Sequence, residues 1–130
     1  MSKADETGAV FRDAKVLVVE DQYLVADDVR RIVQTLGGTV LGPCGDLDQA
    51  DRALVEDRPD FAVLDVNLGE GTVYPLVDKL AALGVPFVLA TGYESWVLPE
   101  AYRDRPRLEK PVTARALAEA AVTAGFGARE

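Results

Sequence analysis

Three short runs in this chain, VLVV at 16–19, FAVL at 61–64 and FVLA at 87–90, are apolar at every position instead of at alternate ones. A half-exposed strand alternates between apolar and polar residues. A strand that is apolar throughout must be covered on both faces, as in a parallel sheet sandwiched between helices. The intervening segments have helical character. Leu24, Val25, Val29, Ile32, Val33 and Leu36 fall at helical spacing before Gly37-Gly38, which predicts an amphipathic helix over 23–36 with a glycine stop. Asp46 is placed to cap a second helix through Ala50, Ala53, Leu54 and Val55. Two more helices are predicted over 73–83, ended by Gly84, and over 114–124, capped by Thr113 and ended by Gly125. Thr39 to Leu41, ending at Gly42-Pro43, and Arg107 to Glu109 read as two further short strands. Strands alternating with helices in this way imply right-handed crossovers and a doubly wound α/β sheet of five strands.

The 130 residues suit one domain, without room for a second folded module. We read 1–13 as a flexible N-terminal leader with Val10 and Phe11 docking at its end, 14–125 as the domain, and 126–130 as a short tail. A net charge of −8 opposes direct binding to nucleic acid or to an anionic membrane surface. At 48% hydrophobic and 28% charged, and with no long apolar run, the chain reads as globular and without a membrane span. The leader carries Asp5 and Glu6 and no apolar core of a signal peptide, so a cytoplasmic location is expected. The single Cys44 has no disulfide partner within the chain and is expected to fill a small, partly buried space. There is no histidine, which removes His-based triads and most catalytic zinc sites.

In doubly wound sheets the site lies beyond the carboxyl ends of the strands. Strand one delivers Glu20 and Asp21 there, strand three Asp65, strand four Thr91 and strand five Lys110. Taken singly, each has an ordinary role as a cap, a turn residue or a solvated strand end; their coincidence at successive strand ends is what a structural role does not explain. Crowded carboxylates repel one another unless a hard cation takes their oxygens as ligands. Mg²⁺ fits such a site, because it needs few protein ligands and keeps several waters. Asp21 and Asp65 would bind it directly and Glu20 through water. A carboxylate is also a nucleophile toward phosphorus. With Mg²⁺ on one side, Lys110 on another and the Thr91 hydroxyl on a third oxygen, Asp65 would accept a phosphoryl group without a general base.

This set resembles the receiver domain of bacterial two-component response regulators, a CheY-like, flavodoxin-like fold with strand order 2-1-3-4-5. The matching pieces are VLVVED, FAVLDVNL, LATGY and LEKP, and the resemblance spans 14–125. It implies a response regulator that signals by protein contact or acts as a phosphate sink, and not an enzyme. Asp65 is then the phosphoacceptor, Glu20 and Asp21 the Mg²⁺ pair, the Asn67 main-chain carbonyl a further Mg²⁺ ligand, and Thr91 and Lys110 the contacts to the phosphoryl group. The implied partners are a sensor histidine kinase or phosphotransfer protein and a downstream protein target. A cis peptide is expected at Lys110-Pro111. LATGY is also similar to a variant found in stand-alone alphaproteobacterial receivers.

Two departures stand out. Arg107 occupies the position, three before the lysine, where the family usually has an aromatic switch residue, and Gly69 stands where many receivers have Pro. Tyr93 and Trp96 are candidates to replace the missing ring, and 94–106, interrupted by Pro99 and Pro106, is expected to sample several conformations in the absence of phosphate. A constitutive protein-binding module of degenerate receiver type is the main alternative. A haloacid-dehalogenase-type phosphatase is the other; it usually needs a second Asp where this chain has Asn67, and places its nucleophile after the first strand.

Overall fold

The computed structural model describes residues 9–68, 71–92 and 99–126. Five parallel strands form the main sheet: β1 Lys15–Val19, β2 Thr39–Cys44, β3 Phe61–Asp65, β4 Phe87–Thr91 and β5 Arg107–Glu109. Their spatial order is β2-β1-β3-β4-β5, the doubly wound order of a flavodoxin-like fold. The helices are α1 Tyr23–Thr35, α2 Leu47–Glu56, α3 Tyr74–Leu83 and α4 Ala114–Thr123.

The unbroken apolar runs are explained by two cores, one on each face of the sheet. Leu17, Val19, Ala62, Leu64, Phe87 and Leu89 pack with Ala50 of α2 and with Leu76, Val77 and Leu80 of α3. Val16, Val18, Phe61, Val63, Val88 and Ala90 pack on the opposite face with Val29 and Val33 of α1 and with Leu117, Ala118 and Ala121 of α4. Every residue of β3 and β4 is buried. Each fully buried Val, Leu or Phe contributes about 1.5–3 kcal/mol relative to exposure. Phe11 is completely buried, with its ring 5.3 Å from that of Phe61 and 5.4 Å from that of Phe126. The core thus draws on residues on both sides of 14–125. Cys44 is buried, and burial raises its thiol pKa.

The expected capping is present. Asp46 Oδ1 accepts from the Gln49 N–H at 2.8 Å, and Thr113 Oγ1 from the Ala116 N–H at 3.1 Å. Gly37, with φ +95°, and Gly84, with φ +75°, end α1 and α3 in the left-handed region. Three local features differ from the sequence reading. The second strand does not stop at Gly42-Pro43 but continues to Cys44, with a register shift between Leu17 and Val19. An edge strand tolerates the proline's missing donor and the bulge. Gly42 is needed there: its φ is +99°, and a Cβ would stand 2.6 Å from the Cys44 nitrogen. The stretch Asn67 to Gly71 reads in the sequence as a loop leading into the next helix, whereas Asn67–Leu68 pairs antiparallel with Gly71–Thr72. Leu24 and Val55, assigned to apolar helix faces, are exposed. Helical spacing identifies the side that turns inward, but the width of the buried stripe depends on what packs against it.

Candidate metal and phosphoacceptor site

Strand register brings the site together. Val19 lies beside Leu64, Asp65 beside Ala90 and Thr91 beside Glu109. Glu20, the next residue along β1, is therefore level with Asp65, and Lys110 follows two residues beyond Leu108, which lies level with Asp65 through Ala90. Glu20, Asp65 and Thr91 are the buried polar or charged residues of the described chain, at 5%, 7% and 4% exposure. Asp21 is exposed at the mouth of the site. One carboxylate oxygen from each of Glu20, Asp21 and Asp65 lies within 4.8 Å of the others.

Lys110 Nζ lies 2.9 Å from Glu20 Oε1 and 3.1 Å from Asp65 Oδ1. The other Glu20 oxygen accepts the Gln22 main-chain N–H at 3.1 Å. Glu20 is thus fixed by an ammonium and by the chain turning into α1. Thr91 Oγ1 donates to the Leu108 carbonyl across to β5 at 3.4 Å, and the Lys110 N–H donates to the Thr91 carbonyl at 2.7 Å. The Lys110-Pro111 peptide is cis, as expected. Asn67 is exposed at the first position of the hairpin, and Arg107 is exposed on β5. Gly69, Tyr93, Trp96 and the 94–98 stretch, where the sequence between Gly92 and Pro99 allows a short helical turn, lie outside the described residues.

Electrostatically the site carries an excess of negative charge. Burial, followed by the nearby Glu20 charge, pushes the Asp65 pKa up to about 6 against the opposing pull of Lys110. For Lys110, burial disfavours the ammonium, but the hydrogen bonds to Glu20 and Asp65 outweigh it and its pKa is raised. One cation therefore does not fully offset the crowded carboxylates. An all-oxygen donor set with residual negative charge fits a hard divalent cation. A cleft of about 310 Å³ lined by Glu20, Asp21, Tyr23, Ala26, Arg30 and Pro43 opens on the acidic pair.

The chain is similar to SdrG from Sphingomonas melonis Fr1, with 33% identity, a TM-score of 0.76, and coverage of 88% of this chain and 97% of that one. It is also similar to the signal receiver domain of a modulated diguanylate cyclase from Desulfovibrio desulfuricans G20, at 31% identity and TM-score 0.72, covering 85% of this chain and 92% of that domain. The chain belongs to the receiver-domain family of response regulators. Among curated proteins, this receiver domain is 30% identical over 95 residues to the phyllosphere-induced regulator PhyR of Methylorubrum extorquens, covering 68% of this chain and 36% of PhyR. It spans about a third of the length of the curated relatives it matches. No family model matches it. No helix among the described residues is long and apolar enough to cross a membrane.

Sequence reasoning placed Lys110 against the phosphoryl group and missed its 2.9 Å contact with Glu20. It also missed a stacked pair, Tyr74 and Tyr102, whose ring centroids are 4.3 Å apart. The signal for the first was present, since a lysine delivered among three carboxylates pairs with the nearest one when no other cation is there. No sequence spacing marked the second.

Proposed function

We propose that this receiver domain accepts a phosphoryl group on Asp65 from a histidine kinase or phosphotransfer protein, and passes the signal to a protein target or drains it as a phosphate sink. The observation that carries the reading is a buried Asp65, held by Lys110 at 3.1 Å and grouped with Glu20 and Asp21 at the carboxyl ends of the strands. An ionised Asp65 oxygen attacks phosphorus and forms the O–P bond. The N–P bond of a phosphohistidine breaks, and the departing imidazole nitrogen keeps the bonding pair. No proton has to leave the nucleophile, which agrees with the lack of any histidine in the chain. Lys110 would then follow the developing charge from Glu20 and Asp65 to a phosphoryl oxygen, and the Thr91 hydroxyl would turn from Leu108 to another.

Glu20, Asp21, Asp65 and the Asn67 carbonyl would hold Mg²⁺; the chemistry it supplies is neutralisation of the carboxylates and of the incoming phosphoryl oxygens. For the donor, a cavity of about 460 Å³ between α1 and the β5–α4 connection, lined by Val25, Val29, Pro111 and Val112, offers apolar footing beside the site. The domain is regulatory and not an enzyme in this reading, and its place is the cytoplasm.

Incubation with acetyl phosphate or phosphoramidate and Mg²⁺, followed by mass spectrometry, tests the proposal. A phosphoryl adduct on Asp65 is expected. A chain that stays unmodified, or carries the group elsewhere, overturns it in favour of a constitutive binding module. Rapid turnover of small phosphate esters would favour a phosphatase instead.

A further inference from the structure

The chain leaves Asp65 through Val66 and doubles back at once. Asn67 pairs with Thr72 and Leu68 with Gly71, and the Val73 N–H donates to the Val66 carbonyl at 3.1 Å. Tyr74 comes next, as the first residue of α3. The position of its ring is therefore tied through one short hairpin to the backbone around Asp65. That ring stacks on Tyr102, with centroids 4.3 Å apart and planes 15° from parallel. The Tyr102 hydroxyl donates to Asp78 of α3, 3.2 and 3.4 Å from its two carboxylate oxygens.

Tyr102 ends the single 3₁₀ turn Glu100–Tyr102 and fastens the chain on both sides of itself. Its N–H donates to the Pro99 carbonyl at 2.9 Å, and its carbonyl accepts from Arg105 at 3.2 Å. The Pro106 carbonyl then accepts from Leu89 of β4 at 2.9 Å, and Leu108 receives the Thr91 hydroxyl. Two arms thus run from the site to the same segment. One passes through Thr91 and β5. The other passes through the hairpin and the two tyrosines.

Both rings are only half-buried, Asp78 is exposed, and the turn they hold is a single one. Contacts of this kind separate without disturbing the core on which they rest. Burial raises the Tyr74 pKa, helped by Tyr102; burial and Asp78 raise that of Tyr102. Both phenols therefore stay neutral near neutral pH, and the stack senses position and not charge.

We propose that the Tyr74–Tyr102 stack is the latch through which the state of Asp65 reaches 99–106, in a receiver where Arg107 occupies the usual aromatic position. The proposal rests on Asp65 being the phosphoacceptor. The stack is closed in this structure; phosphorylation shifts the 65–67 backbone, carries the start of α3 with it and opens the stack, freeing 99–106 for a partner, the reverse of the direction expected from Pro99 and Pro106, in which 94–106 is loose before phosphorylation.

The test uses the full chain with Mg²⁺, with and without beryllofluoride as the phosphoryl mimic. It follows the Asp65 amide resonance, the Tyr74–Tyr102 ring-to-ring NOE and hydrogen exchange over 99–106. Beryllofluoride is expected to shift the Asp65 amide, weaken the NOE and lower protection over 99–106 about tenfold. In Tyr102→Leu the Asp65 amide should still shift, while 99–106 starts unprotected and does not respond. Tyr102→Phe keeps the stack without the Asp78 bond and should respond as wild type does. If the Asp65 amide shifts but the NOE and protection do not change, or if Tyr102→Leu responds as wild type does, the latch is refuted. If the Asp65 amide does not shift, the phosphoacceptor reading fails and the latch fails with it.

Discussion

At the ends of β1 and β3, two buried carboxylates, Glu20 and Asp65, share one ammonium, with the exposed Asp21 beside them. At the ends of β4 and β5, beside that Lys110 ammonium, the contacts include one buried hydroxyl donating at 3.4 Å and a main-chain bond of 2.7 Å. The first region holds like charges close together in a desolvated place, a destabilising arrangement that a bound cation would relieve. The second contains little such strain, and its weak hydroxyl bond exchanges partners at low cost. The proposed binding site and its proposed readout thus sit on the same sheet edge but differ in how much repulsion each contains. Substitutions in the first region should move stability strongly and those in the second weakly.

Asp65→Asn should have the largest effect. It should abolish the phosphoryl adduct and, in metal-free buffer, stabilise the fold. An acid whose folded pKa is about 6, against an ordinary 3.8, binds more protons folded than unfolded between those values. Relative to a neutral side chain it costs almost nothing below about pH 4, and the cost grows as pH rises towards about 6, reaching up to about 3 kcal/mol above that. Denaturation with EDTA should therefore show Asp65→Asn gaining most of this at pH 8 and almost nothing at pH 3.5. A variant no more stable than wild type at pH 8 would mean that the first region is not strained.

Lys110→Ala should act next most strongly and in the opposite direction, since it leaves Glu20 and Asp65 facing one another without the ammonium. About 2 kcal/mol should be lost in EDTA at pH 7, below the range for deeply buried pairs because Lys110 is partly exposed. Adding Asp65→Asn to this variant should recover much of the loss. Additive single effects would show that the three groups are not one coupled unit.

Mg²⁺ itself should raise the stability of the wild type by about 1.4 kcal/mol at ten times its Kd. Asp21→Ala should lose this gain, and Glu20→Ala should keep part of it because its contact runs through water. Superimposable melts with and without Mg²⁺, under conditions that still allow phosphorylation, would contradict the metal assignment.

The difference between the regions also explains what could be read in advance. Unbroken apolar runs are forced by a sheet covered on both faces, so β1, β3 and β4 and the residues at their ends were legible, as were the caps at Asp46 and Thr113. The Asn67–Thr72 hairpin has too few residues to show a period. Gly42-Pro43 looks like a stop, and only its place on an edge strand lets β2 continue to Cys44. Tyr74 and Tyr102 meet because the turn Glu100–Tyr102 lies against α3, a tertiary contact that no local pattern encodes. The cluster of carboxylates was therefore readable from residue types at strand ends, while the Tyr74–Tyr102 contact depends on side chains distant in sequence.

The smallest effect should come from Thr91→Ala, which gives the most exacting test of the comparison. Its hydroxyl donates over 3.4 Å, the long end of hydrogen-bond geometry, to a carbonyl that other groups can also serve. Its removal should cost about 1 kcal/mol or less. Asp65 keeps its nucleophilic oxygen and Lys110 in this variant, so the adduct should still form. What should disappear is the arm of the response that runs through β5: with beryllofluoride, the Asp65 amide shifts while Leu108 and Glu109 no longer follow it. The arm through the hairpin is separate, so 99–106 should retain part of its change in protection. A loss of several kcal/mol would place Thr91 in the strained region and dissolve the division, and undiminished shifts at Leu108 would show that the hydroxyl reads nothing.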